Sequence, residues 1–411
     1  TSTGTFSQGT SNVTVTSSSG SPTLLSGATT FHKLTINSAA TVINMGSAVT
    51  INDVAGAALD IQAGVFNADT AHITGPGTGN GTLTIAAGAT LCLGGTTNAT
   101  TATCDSGATQ TATRDMGTFQ TYSFNAASTV RYLSDATVTI LSTPVYGNLQ
   151  LVPKLTGNFT YTFAVNTTIN GDFTVNPSSA SAWTLTAWLG DSTVTVTVAA
   201  GKTTTVTRTS SALANLTTNN AGSGGSNLST GLLNIATGGT LTVGPADVST
   251  ITLTGTSGTL FTSTGTFTPG SSTVVMNGDG APTLTSGTIT FWNLTLSPTI
   301  TVARTYTFGA GALTVDGDFN INPSAGSALA LTVNMGAAIT VAAGKTTTIT
   351  RTSSATATLN TTASNYALST GLLNIATGGT LTANGSTITL TGTAGTLFTS
   401  TGTFTPGSST V

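Results

Sequence analysis

Twelve acidic residues, nine lysines and arginines, two histidines and two cysteines carry almost all the acid–base, nucleophilic or metal chemistry open to this 411-residue chain. Hydrolysis of a glycosidic bond needs two positioned carboxylates. The closest pair here is Asp316 and Asp318, flanking Gly317 in VDGDF, and the matching word earlier in the chain carries Asn170 and Asp172 around Gly171. A weak calcium site is one reading of that word. The full EF-hand loop and the glycine-rich GGxGxD repeat are both missing, so the word reads as a recurring Asp-Gly turn. His32 aligns with Trp292 of a later repeat, which gives it a structural role, and His72 has no partner motif. The many serines include no GxSxG elbow with a histidine to match. Lys202 and Lys345 sit in GKTTT words, but Val196 and Ile339 stand where a phosphate-binding loop needs its first glycine. These are turn lysines, and Arg208 and Arg351, which recur just after them, are expected to face solvent or a nearby carbonyl. The sequence therefore offers no catalytic residue, no cofactor site and no metal site, and an enzyme is not expected.

Cys92 and Cys104 lie in LCLGGTTNATTATC, with a loop-like stretch between them. A local disulfide is the expected state, two free thiols the alternative, and two cysteines without nearby histidine do not make a zinc site. A disulfide fits an oxidising compartment. Of the three tryptophans, Trp183 and Trp188 are close enough to form a sugar platform, but a hydrophobic patch at a subunit contact is the simpler reading. Sequons at Asn12, Asn158, Asn166, Asn293 and Asn360 mark glycosylation only in a host that performs it.

The elements that must position these residues are β-strands. Threonine makes up roughly a quarter of the chain, glutamate is absent, and charged residues are only 5%. An ordinary globular domain carries about 25%. Thr, Val and Ile suit a pleated surface, while the strong helix formers are scarce. A net charge of −3 with thinly spread cations excludes a nucleic-acid surface. No apolar run approaches the ~18 residues of a membrane helix. The sequence starts at Thr1 with neither methionine nor signal peptide, as expected of a processed chain or of a segment of a longer one.

Repetition organises the chain. TLFTSTGTFTPGSSTV stands at 259–274 and, unchanged, at 396–411; LSTGLLNIATGGTLT stands at 228–242 and 368–382. VAAGKTTTVTRTSSA at 198–212 returns with one change at 341–355, and INGDFTVNPSS at 169–179 returns as VDGDFNINPSA at 315–325. SPTLLSGATTFHKLTI at 21–36 matches APTLTSGTITFWNLTL at 281–296, and the opening TSTGTFSQGTSNVTV matches the stretch from 262. The blocks are 1–116, 117–264 and 265–401, with 402–411 opening a fourth. The chain thus ends on the word with which it begins.

Within a block, runs such as LLNIA, TLTVG and TITLTG succeed one another at short, regular intervals, bounded by Gly, Asn, Asp, Ser or Pro. The fold class is all-β. A parallel β-solenoid, or β-helix, built from these blocks is favoured over tandem β-sandwich domains. The strand rhythm crosses the block joins without a linker, and aromatics are only 6%. Thr and Asn at recurring positions also suit in-register stacking. Coils of roughly 20–28 residues would number about 15–20. An uncapped solenoid exposes edges that recruit other chains, so the phase-matched ends point to stacking on more of the same polypeptide or on another copy.

The stretch GTFTPGSSTVVMNGDGAPTLTSGTITFWNLTLS resembles the repeats of large bacterial β-strand-repeat surface proteins, akin to autotransporter passengers and filamentous-haemagglutinin-like adhesins. The match is clearest at 262–300 and 1–37. The resemblance implies secretion, a β-helical rod, and a role in adhesion, biofilm or extracellular fibres, with cell-surface or matrix glycans as partners. The expected function is an extracellular structural filament made by end-to-end continuation of solenoid units. An adhesin stalk is the alternative, and a polysaccharide-active β-helix enzyme the remote one.

Overall fold

The computed structural model describes residues 9–25, 27–52, 55–68, 72–95, 99–101, 103–104, 116–218, 224–246, 248–362 and 364–411. The first eight residues of the opening word lie outside them. Every regular element among the described residues is a β-strand, and every described strand pairing is parallel, as between Leu228 and Ile251 or Thr346 and Leu372. Sandwich domains need antiparallel neighbours; the chain is instead a β-solenoid of about 15 turns. It divides into two compact units, 1–188 with 205–216, and 189–204 with 217–411. The division falls inside the second sequence block.

In the first unit, one column stacks Asn12–Val15, the first half of Lys33–Asn44, the first half of Ala57–Ala68, Thr82–Ile85 and Thr121–Phe124. A second column takes the other halves of the two long strands and continues through Thr90–Leu93, Thr129–Tyr132, Asn148–Leu151 and Phe173–Val175. Thr90 pairs with Thr129, and Thr129 pairs in turn with Asn148. The coil from Thr90 to Thr129 is longer than its neighbours and carries the disulfide between Cys92 and Cys104.

The second unit is a three-faced coil. Its first face runs from Thr195–Val198 to Phe398–Ser400 through nine stacked strands. Its second face runs from Leu232–Ile235 to Thr403–Thr405. The third begins with Gly239–Thr242 and Thr266–Thr268, and is taken up by a separate run from Ile289–Phe291 to Ile388–Leu390. Turn length is uneven: the step from Thr273 to Asn293 is short, and that from Ile339 to Leu368 is long.

The alternation of residue types sets the faces. In Thr250–Leu253, Ile251 and Leu253 are fully buried while Thr250 and Thr252 point outward. Each inward Val, Ile or Leu contributes roughly 1.5–3 kcal/mol of burial, so order does not depend on surface charge. At one corner the coils approach so closely that only glycine fits. A Cβ on Gly278 would lie 2.0 Å from the Gly255 carbonyl oxygen, and one on Gly255 would lie 2.7 Å from that of Gly231.

The sequence repeat and the coil are out of step. LLNI at 232–235 lies on the second face, and its identical copy at 372–375 lies on the first. Six stacking steps along the first face separate Asn227–Thr230 from Leu372–Ile375, and six along the second separate Leu232–Ile235 from Gly379–Thr382. The copy of a second-face strand thus arrives one face early. One repeat spans five turns and two faces, and identical words are displayed in different directions.

Candidate functional site

The residues with chemical potential are engaged in holding coils together. The Asp318 amide donates to Asn293 Oδ1 at 2.9 Å, and Asp318 Oδ1 accepts from the Thr346 amide at 2.9 Å. The matching Asp172 amide donates to Asn148 Oδ1 at 2.9 Å. Asp316 is exposed. Gly317 and Gly171 are buried beneath these asparagines, where a Cβ would lie 2.2 and 2.4 Å from the respective Oδ1 atoms. The Asp-Gly word is therefore a clasp between turns. The sequence held its signal, since Asn148 precedes Asp172, and Asn293 precedes Asp318, by close to one coil length.

Lys345 Nζ lies 5.3 Å from the centroid of the Trp292 ring, a cation–π contact between coils. Arg208 and Arg351 each donate from Nη1 to a nearby downstream carbonyl, Ala212 and Ala355, at 3.2 Å. Ser210 and Ser353 follow, both in the left-handed region (φ 60° and 62°). Their hydroxyls donate to Ser179 and Ala325 of the preceding coil at 2.9 and 2.8 Å. Asp279 Oδ1 accepts from Arg304 Nε at 2.6 Å, and this bond holds the Asp279 carboxyl below its ordinary pKa.

His32 is half-buried and His72 exposed. Among the described residues, no three His, Cys, Asp or Glu side chains are grouped to hold a metal ion. Cys92 and Cys104 are joined by a disulfide within a small buried cluster that includes Val42, Val65 and Leu133. Trp183 is 38% exposed beside Leu213, whose amide donates to the Trp183 carbonyl, while the Trp188 indole nitrogen is buried. The two tryptophans therefore do not form a common exposed platform.

The feature with the clearest consequence is the last coil. In the word at 259–274, Leu260, Phe261 and Val274 are fully buried. Phe261 packs against Phe267 and Phe291 at centroid distances of 5.1 and 5.2 Å, and Phe267 and Phe291 are 5.9 Å apart. Phe291 belongs to the next coil, in APTLTSGTITFWNLTL. In the identical word at 396–411, Leu397 and Phe398 are each 37% exposed and Val411 is 65% exposed. Phe398 keeps the equivalent of its first ring partner, Phe404, at 5.5 Å. Among the described residues, the strands of this coil pair only with the coil before them. The coil thus presents open edges and an apolar surface that the same sequence buries elsewhere in the molecule.

No helix among the described residues is long and apolar enough to cross a membrane, which says nothing of a β-barrel. Comparison with family models, curated proteins and solved structures finds no match to this chain. The chain is thus placed by its fold alone, as a parallel β-solenoid repeat protein.

Proposed function

We propose that this chain is an extracellular or cell-surface structural protein whose solenoid coils continue end to end into a filament or rod. The observation that carries the reading is the covering of Phe261 by Phe291 of the coil that follows its word, since the identical word around Phe398 offers the same surface to a following coil. A surface whose buried counterpart is known is best satisfied by a coil of the type at 281–296, with a phenylalanine in the place of Phe291. The chain carries a second such word at 21–36, with Phe31 in that place. Continuation is supplied either by further repeats of the same polypeptide or by a second copy. The disulfide and the near absence of charge fit an oxidising exterior. The repeats resemble those of bacterial β-strand-repeat surface proteins, and glycans of a surface or matrix are the partners that resemblance suggests.

The test is the intact mass of the native protein together with electron microscopy. A mass several times 40.5 kDa, or filaments built of 40.5 kDa subunits, is expected. Short dispersed particles of a single 40.5 kDa chain under native conditions would sink the proposal.

A further inference from the structure

We propose that the second face of the second unit is an ice-binding surface. Along it, five threonines stand in register on five successive coils: Thr305 pairs with Thr332, Thr332 with Thr358, Thr358 with Thr380 and Thr380 with Thr403. Two positions further along each strand a parallel rank runs through Thr307, Asn334, Asn360, Thr382 and Thr405. All of these positions alternate with buried ones such as Tyr306, Val333, Leu359 and Leu381, so their side chains share the outward side of one sheet.

The geometry is that of a lattice. Adjacent coils in a parallel sheet are about 4.8 Å apart and positions i and i+2 about 6.6 Å apart, so the hydroxyls and amides form a near-rectangular grid. Both repeats are close to spacings between oxygens on surfaces of hexagonal ice. The groups are also held still. Threonine is β-branched and stiff at χ1, and Asn360 Nδ2 donates to Asn334 Oδ1 at 3.0 Å, locking the two amides in line. A pre-ordered surface loses little entropy on binding.

The chemistry selects the partner. A hydroxyl both donates and accepts, so the grid can meet a water lattice in either polarity, and the threonine methyl groups keep disordered water from filling the gaps. Neither rank contains a charge, which leaves nothing to recognise phosphate or carboxylate. Neither contains an aromatic ring, the usual platform for a crystalline polysaccharide. Each hydrogen bond to water exchanged for one to ice gains little, so only a solid that engages the whole grid at once is held. The third face offers a contrast, because its register runs through Thr290, Thr314, Thr340, Ser369 and Thr389 as a single rank.

This inference does not rest on the filament reading and is tested on the full chain as isolated. Thermal hysteresis, ice-crystal shaping and partition into a slowly growing ice front would be measured for the unaltered protein. The same measurements would follow for the double variant Thr358→Lys, Thr380→Lys and for the third-face control Thr314→Lys, Thr340→Lys. Circular dichroism and urea midpoints verify that both variants fold. Hysteresis and ice partition in the unaltered protein and the control, with loss to the buffer level in the second-face variant, are expected. If lysines at 358 and 380 unfold the chain, Thr332→Tyr alone replaces them, with the same loss expected. The proposal is overturned if the unaltered protein is rejected by ice. Survival of ice binding in the folded second-face variant, or its loss only in the third-face control, overturns it equally.

Discussion

Phe398 repeats Phe261 in sequence but not in surroundings. Phe261 lies between two rings at 5.1 and 5.2 Å and is fully buried, whereas Phe398 has Phe404 at 5.5 Å and is 37% exposed. The identical words around them thus supply an internal control. The two words lie on different faces, but the ring that Phe261 has and Phe398 lacks, Phe291, comes from the next coil, and that coil's contribution can be measured.

Phe261→Ala is expected to cost about 3–5 kcal/mol, the usual loss for a buried aromatic. Phe398→Ala in the isolated chain should cost far less, since much of its surface already meets water. Urea denaturation of both variants reads the difference. In the assembled state Phe398→Ala should instead reduce filament length, or the stability of the following coil where the chain continues. Equal losses for the two variants in the isolated chain would contradict the contrast in burial.

The mismatch between repeat and coil leads to a deletion test. Removing residues 346–371 takes out one whole turn, because Thr346 pairs directly with Leu372. The strand Phe319–Ile321 would then stack on Leu372–Ile375, and the faces would stay in register. This variant should remain folded by far-UV circular dichroism, with a smaller urea m-value in proportion to the surface lost. Removing only 337–345 takes out one strand of the third face, Ile339–Val341, and leaves a coil unable to close. That shorter deletion should aggregate, and its folding normally would refute the three-faced turn.

Strands, turns and stacking were legible because each depends on local patterning. The alternation in TITL announces an inward Ile251 and Leu253, and the Gly, Asn and Asp boundaries announce the corners. The coil pitch was legible from the same spacings. The face on which a word lands was harder to see, since it depends on the remainder after dividing the repeat by a turn of uneven length. A few residues inserted at corners move every later strand to another face without altering any strand's own pattern. The Asp-Gly word read as a turn, but the carboxylate of Asp318 reaches the Thr346 amide one turn on, a contact set by stacking. Lys345 likewise meets Trp292 two coils away, and no local motif joins them. Charged groups such as these, scattered in sequence, find their use only when the coils stack, as clasps.

Buried phenols should govern the alkaline limit. Tyr146 and Tyr161 are fully buried and donate their hydroxyls to the Leu141 and Ser134 carbonyls; Tyr306 donates to that of Gly278. Burial pushes all three phenols above the ordinary value of 10.0. A folded-state pKa above the unfolded one means the stabilisation is intact below about pH 10 and is lost as pH rises beyond it. In a spectrophotometric titration these three of the six tyrosines should ionise only with unfolding. Tyr306→Phe should leave the neutral-pH core packed and raise the pH at which the second unit opens. Free ionisation of all six near pH 10 in the folded chain would be incompatible with this burial.

The disulfide should act as a local clip on the first unit. Cys92 and Cys104 close a loop with a sequence separation of 12, set into the longest coil of that unit. Closing a loop of this size removes freedom from the unfolded chain worth about 2–4 kcal/mol. The bond also holds Cys104 in a buried cluster with Cys92, Val42 and Leu133, and Asn44 Nδ2 donates to the Ala99 carbonyl inside the loop at 3.0 Å. Replacing both cysteines by serine therefore loses the clip and places hydroxyls in an apolar site, so Cys→Ala at both positions is the cleaner variant. It should lower the urea midpoint of the first unit and speed amide exchange at Thr90–Leu93 and its stacking partners Val65–Ala68 and Thr129–Tyr132. Exchange at Thr346–Ile349 in the second unit should not change, because the turns of a solenoid interact with those stacked close by and this strand lies many coils from the disulfide. Uniform loss of protection along the whole chain would show that the coils unfold as one body and that the clip is not local.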